Sequence, residues 1–294
     1  MFIVGCGYIG TRLALRALDA ATPVSGVVRS AASAEKLGEQ MIPVLRCDLD
    51  SEPLPAGSTE GQEVYYCAPP PSAGVQDTRM RRFIAGLADS GQPRRIVYLS
   101  TTGVYGDCHG EWVDERRPAN PQVDRAHRRW DAEQVLQAWR ERSGGELVIL
   151  RVAGIYGPGK LPLARLRKGE PMVDEADAPW TNRIHADDLV SACLAAMQRG
   201  VDGEVYNACD GNPGNMSDYF KQVAEMAGIA PPPLISLAQA REQLSPGMLS
   251  YLGESRRLSN AKLLRDTGLQ LRYPALPEGL CACFEASADS HESA

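Results

Sequence analysis

The sequence predicts an α/β fold: a Rossmann-type, doubly wound parallel sheet with a small C-terminal α/β unit. Three observations carry this. Short apolar runs alternate with helical patterns as far as residue 152, the β-α-β order that closes as a parallel sheet with right-handed crossovers. The first run ends in Gly5-Cys6-Gly7-Tyr8-Ile9-Gly10, three glycines spaced G-x-G-x-x-G between a strand and a helix. Beyond residue 152 the alternation loosens into short, proline-punctuated segments, as expected of a second, smaller unit.

The glycine turn reads as a diphosphate site. Gly5 lets the chain turn with positive φ, Gly7 leaves room for a phosphate against the backbone, and Gly10 lets the helix pack close to the strand. The free N–H groups at the helix start, from Tyr8 and Ile9 onward, face the anion. A second strand, residues 24–30, ends in Arg29 and Ser30. In NAD-binding units a carboxylate stands here to take the ribose 2′-hydroxyl, whereas an arginine suits a 2′-phosphate. The expected cofactor is therefore NADP rather than NAD. A helix over 31–40 leads to a third strand, 42–49, and then to a fourth, 63–68, stopped by Pro69-Pro70-Pro71. Three prolines end a strand in a rigid loop at the sheet's carboxyl edge. A basic amphipathic helix over 75–90, a fifth strand over 95–100, a long helix over 123–142 and a sixth strand over 147–152 follow.

Past the sixth strand, Asp187 and Asp188 open a helix over 186–199, where their charge suits the positive helix end. A short strand follows at 204–207, then a helix from Ser217 with that serine as its cap. A late helix ends at Gly268. The expected division is a nucleotide-binding unit over 1–160, completed by about 183–210, and a substrate unit from 161–182 and 211–285. Residues 286–294 are small and polar and are expected to form a disordered tail.

Net charge is −6 and the pI about 5.4, which argues against nucleic acid or an anionic membrane as main partner. No apolar run reaches the ~18 residues that span a bilayer. With the folded part beginning at Phe2, no leader is expected and the cytoplasm is the default location. The eight cysteines are scattered, and only Cys281 and Cys283 lie close, so reduced thiols are expected rather than a metal site.

Several segments together resemble the extended short-chain dehydrogenases/reductases, the NAD(P)-dependent epimerases and dehydratases. They are Gly7-Tyr8-Ile9-Gly10, Cys47-Asp48-Leu49, residues 99–106 (Leu-Ser-Thr-Thr-Gly-Val-Tyr-Gly), 150–159, 183–189, Tyr206-Asn207 and 259–263. The resemblance implies about seven strands in the nucleotide-binding unit. It implies that Asp48 and Leu49 lie by the adenine, Ala68 and Pro69 by the cofactor ribose, and Pro158 by the nicotinamide, with Ser100 a further cofactor-binding residue. It also implies a catalytic set of an Asn, a Ser or Thr, and a Tyr-x-x-x-Lys pair.

Carried over by position, Thr101 stands for the Ser or Thr, Asp77 for the Asn, Arg125 for the tyrosine and Arg129 for the lysine. A guanidinium titrates above pH ~12, so Arg125 cannot shuttle a proton near neutrality. Arg129, one turn further along, could hold the ribose or a phosphate, and the two arginines could clamp an anionic substrate. Tyr105, Tyr156, His127 and His185 are the alternative proton donors, and their spacing selects none of them. These departures resemble the atypical branch of the superfamily. The expected function is an NADP-dependent oxidoreductase or epimerase on a small or sugar-like, possibly anionic or nucleotide-sugar-like, hydroxyl or carbonyl compound. The alternative is an inactive NADP-binding sensor or scaffold. The expected assembly is a monomer or homodimer.

Overall fold

The computed structural model describes the backbone of residues 1–292 and the side chains of residues 1–286. Its central sheet has seven parallel strands: β1 (Phe2–Val4), β2 (Ser25–Val28), β3 (Val44–Arg46), β4 (Glu63–Tyr66), β5 (Arg95–Thr101), and the later strands Glu146–Val152 and Val205–Ala208. From one edge the order is Val205–Ala208, Glu146–Val152, β5, β4, β1, β2, β3. β1 pairs with β2 on one side and β4 on the other. The chain order reverses there, and ligands of open α/β sheets bind at such a point, outside the carboxyl ends of the strands.

Side-chain alternation explains why the sheet is covered on both faces. Ile3, Val28, Tyr65, Val97, Leu99, Val148 and Leu150 point to one face. There they meet helices α1 (Tyr8–Asp19) and α2 (Ala31–Glu39) and the helix Ala186–Arg199. Phe2, Val4, Val64, Tyr66, Ile96, Tyr98 and Ile149 point to the other, against α3 (Thr78–Ser90) and α4 (Asp124–Ser143). A separate apolar cluster, including Tyr156, Leu166, Met172, Phe220, Val223 and Leu280, lies in the C-terminal part.

Several boundaries differ from the sequence reading for local reasons. The third strand stops at Arg46, because the chain turns at Asp48, whose carbonyl accepts from the Ser51 N–H at 2.8 Å. α3 begins at Thr78 and not at 75, because the Asp77 carboxylate caps it by accepting the Met80 N–H at 3.0 Å. The helix expected from Ser217 runs Met216–Met226 with Asn215 as its cap. Of the two acids at 187 and 188, Asp188 does more than complement the helix dipole. Its buried carboxylate accepts the N–H groups of Arg272 and Tyr273 at 2.7 and 2.9 Å. The imidazole of His185 provides the side-chain cap there, accepting the Asp187 N–H at 3.2 Å. The final helix runs Leu276–Glu292, through the first part of the segment read as a tail; residues 293–294 of that segment lie outside the described residues.

Among the buried carboxyls, Asp210 follows the last sheet strand. Burial pushes its pKa from 3.8 up to about 7, while the nearby Arg183 and the Asn212 N–H pull the other way. The folded state thus holds the proton where the unfolded chain has lost it. Stability is fully present below the unfolded value, falls as pH rises from about 4 to 7, and is flat above. Asp210→Asn is expected to remove that slope and to raise stability at pH 8 by about 1–3 kcal/mol. Urea denaturation at several pH values measures this, and an unchanged slope would assign it elsewhere.

Candidate functional site

The carboxyl edge of the sheet holds a cavity of about 690 Å³ at the switch between β1 and β4. Its floor is the glycine turn, and the three glycines play separate parts. A Cβ on Gly5, at φ +89°, would stand 2.4 Å from the Ala68 backbone nitrogen. A Cβ on Gly10 would stand 2.7 Å from the Gly5 carbonyl oxygen. A Cβ on Gly7 would meet nothing within 4 Å, because this residue faces the cavity. Gly7 is the N-cap of α1 without a side-chain cap, and the first turn carries no acid. The N–H groups of Tyr8, Ile9 and Gly10 therefore have no partner within the helix, and the positive helix end opens into the cavity. This is an anion site shaped for a backbone-hugging diphosphate.

At one end of the cavity stand Arg29, Ser30, Asp48 and Leu49, with Ser33 beside them. Ser30 caps α2, accepting the Ser33 N–H at 3.2 Å. Arg29 is largely exposed and directly follows β2, where a carboxylate would mark a free ribose. Ala68 and Pro69 form the middle wall, and Ser100, Arg129 and Val152 the far end. The Arg129 guanidinium donates to the Leu99 carbonyl at 3.1 Å and the Tyr98 hydroxyl at 3.4 Å. It is a fixed cation on the wall. Pro158 is not itself on the wall. Its carbonyl accepts from the Tyr8 hydroxyl at 3.0 Å, tying the loop after strand Glu146–Val152 to the glycine turn.

The catalytic candidates are less united. Thr101 ends β5 but does not reach the cavity; its hydroxyl accepts the Gly103 N–H at 3.2 Å. Ser100 does reach the cavity, and its hydroxyl donates to buried Glu133. Asp77 is fully buried, away from the wall, and burial pushes its carboxyl up. It serves as the α3 cap and not as a polar group in the cleft.

The expected clamp of Arg125 with Arg129 does not form. Arg125 hydrogen-bonds Ser250, lies 3.4 Å from Glu254 and stacks on Tyr251 at 4.3 Å, so its charge is engaged by the C-terminal part. None of the four alternative proton donors is on the wall. Tyr105, pushed up to about 12 by burial, donates to Asn207 at 2.8 Å. Tyr156 and His185 are buried 5.2 Å apart in the C-terminal part, and burial pushes the imidazole's pKa down.

Sequence reasoning missed Ser33, Arg79, Lys160 and the cysteines Cys6, Cys47 and Cys67, all of which line the cavity. Burial pushes Cys6 up to about 11 and Cys67 up to about 12, so near neutrality they are apolar thiol walls. Lys160 stands 5.1 Å over the Tyr8 ring at the mouth. Its signal was weak: a lone lysine after Gly157-Pro158-Gly159. Among the described residues no cluster of His, Cys, Asp or Glu could hold a metal ion. No helix there is long and apolar enough to cross a membrane.

Comparison with known proteins gives a consistent result. The sequence model of the NAD dependent epimerase/dehydratase family matches residues 1–209. Protein YeeZ of Escherichia coli strain K12 is 26% identical over 284 residues, spanning 92% of this chain and 95% of its own length. A functionally unknown conserved protein from Silicibacter pomeroyi DSS has a solved structure with TM-score 0.81 at 30% identity, covering 97% of this chain and 98% of that one. The UDP-glucuronic acid 4-epimerase of Bacillus cereus, solved with UDP-glucuronic acid and NAD, shares the fold at TM-score 0.76 and 17% identity over 99% of this chain and 100% of that one.

Proposed function

The chain belongs to the NAD dependent epimerase/dehydratase family, and we propose that it is an NADP(H)-dependent oxidoreductase acting on a nucleotide-sugar-like hydroxyl or carbonyl compound. The observation that carries this is the cavity at the β1–β4 switch, with an open glycine at a bare helix N-terminus and an arginine where NAD sites carry an acid.

The glycine turn and the N–H groups of Tyr8, Ile9 and Gly10 would hold the diphosphate. Asp48 and Leu49 would flank the adenine, and Arg29, Ser30 and Ser33 the ribose 2′-phosphate. Ala68 and Pro69 would line the cofactor ribose and Ser100 and Arg129 the nicotinamide end, with Pro158 acting from behind the wall through its bond to Tyr8. A bound nicotinamide supplies or accepts the hydride. Arg129 keeps its charge at any working pH and stabilises negative charge there. Ser100, the β5 hydroxyl that reaches the wall, would hydrogen-bond the reacting oxygen in place of Thr101. The proton then comes from water or a substrate-borne group, since Tyr105, Tyr156, His127 and His185 all lie off the wall and the Tyr8 hydroxyl donates to the Pro158 carbonyl. The nucleotide-sugar class is supported by the B. cereus epimerase, solved with such a ligand, and by the fixed cation of Arg129.

The test is NADP+ reduction with UDP-sugars and NADPH consumption with simple ketones, followed by product analysis that also detects an epimerised sugar. Turnover with a UDP-sugar is expected. The engagement of Arg125 by Ser250 and Glu254 favours a second reading, a sensor that binds NADP without chemistry. Tight NADPH binding with no turnover on either substrate class would favour that reading.

A further inference from the structure

Two guanidinium groups converge on one carboxylate at the adenosine end of the cavity. Arg79, in the first turn of α3, reaches back across the β4 loop and forms part of the wall. It donates to the Pro69 carbonyl at 2.9 Å and grips Asp50 through two nitrogens at 2.7 and 2.5 Å. The same Asp50 oxygen lies 3.7 Å from Arg29. The Asp50 backbone is held: its N–H donates to Asp48 at 3.0 Å, and Arg82 bonds the neighbouring Leu49 carbonyl. Its side chain remains 38% exposed, against 16% for Arg79, so it can turn out to water at modest cost. The Arg79 guanidinium holds the Asp50 carboxyl below the usual carboxylate range.

We propose that Arg79 is the second cation of the 2′-phosphate site, and that Asp50 is its resident counter-ion, exchanged for the 2′-phosphate when NADPH binds. The proposal rests on the NADP reading above. The physical case is a swap of anions. A phosphate carries more charge than a carboxylate and offers three acceptor oxygens, so two arginines bind it more strongly. Neither arginine is left unpaired before or after. NADH brings no anion to this end and leaves the Arg79–Asp50 pair in place. Sequence alone could not show this, because Arg79 and Asp50 meet only through the packing of α3 on the turn after β3.

The intact protein is titrated with NADPH and with NADH by fluorescence, as wild type, Asp50→Asn, Arg79→Met and Arg79→Lys. Asp50→Asn is expected to tighten NADPH about tenfold and to move NADH less than about twofold. Arg79→Met is expected to weaken NADPH by about ten- to a hundredfold and NADH less than about threefold, with Arg79→Lys recovering part of the loss. NADH reports on damage to the fold, since such damage lowers both affinities together. An Asp50→Asn that weakens NADH and leaves NADPH unchanged makes Asp50 a ribose acceptor and overturns the proposal. Equal losses of both cofactors in Arg79→Met overturn it as well. A wild type that prefers NADH overturns the reading of Arg29. The exchange itself then still stands if Asp50→Asn shifts the ratio toward NADPH, and falls if it does not. A protein that binds neither cofactor ends both.

Discussion

A Gly7→Asp variant is expected to fold as stably as the wild type and to lose more than about a hundredfold in dinucleotide affinity. The two effects separate because of where Gly7 lies. A side chain there meets nothing within 4 Å, so nothing in the folded protein resists it. Gly7 is also the uncapped N-cap of α1. An aspartate caps the helix, satisfies one of its free N–H groups and complements its dipole, contributing about 1 kcal/mol. The same carboxylate then fills the anion site and repels a diphosphate. Thermal melting and NADPH fluorescence titration together check this. A variant that binds NADPH normally would mean that the diphosphate lies elsewhere. Gly5 behaves oppositely, since a methyl at φ +89° would press into the Ala68 backbone, damaging the fold first.

Glu133→Ala is expected to destabilise the protein by about 3–5 kcal/mol. Glu133 and Arg151 face each other between α4 and the strand Glu146–Val152, with side chains 1% and 5% exposed and a 2.8 Å contact. Removing the carboxylate leaves a buried guanidinium without its counter-charge, with the rings of Tyr105 and Trp130, 4.7 and 5.7 Å away, against it. The loss also frees the Ser100 hydroxyl, which donates to Glu133 at the cavity wall, so NADPH affinity falls with stability. Replacing both partners by apolar residues is expected to recover most of the stability. Urea denaturation at neutral pH measures each variant. A single variant within about 1 kcal/mol of wild type would contradict the assignment of this pair.

The sheet was legible because its strands announce themselves. Runs such as Ile96-Val97-Tyr98-Leu99 are buried on both faces, and the glycine turn fixes the direction of the first crossover. The segments around Asp48, Ala68 and Ser100 were legible through family resemblance, and all three reach the cavity. Contacts made across long sequence separations were not. Arg125 looked like a partner of Arg129 because both lie on α4 one turn apart, yet its partners are Ser250 and Glu254 in the C-terminal part. Asp188 looked like a dipole-complementing acid, yet it anchors Arg272 and Tyr273. Lys160 and Arg79 carried no pattern, because their place at the cavity depends on how loops fold over the sheet. Periodicity reports which face of an element is buried; it does not report which distant segment covers it.

A crystal structure of the protein with NADPH tests the central claim most directly. The account expects the diphosphate over Gly7 and the N–H groups of Tyr8, Ile9 and Gly10, the 2′-phosphate on Arg29 and Ser30, and the nicotinamide between Ser100 and Arg129. A dinucleotide bound outside the β1–β4 cavity, or one whose 2′-phosphate points to solvent away from Arg29, would contradict it.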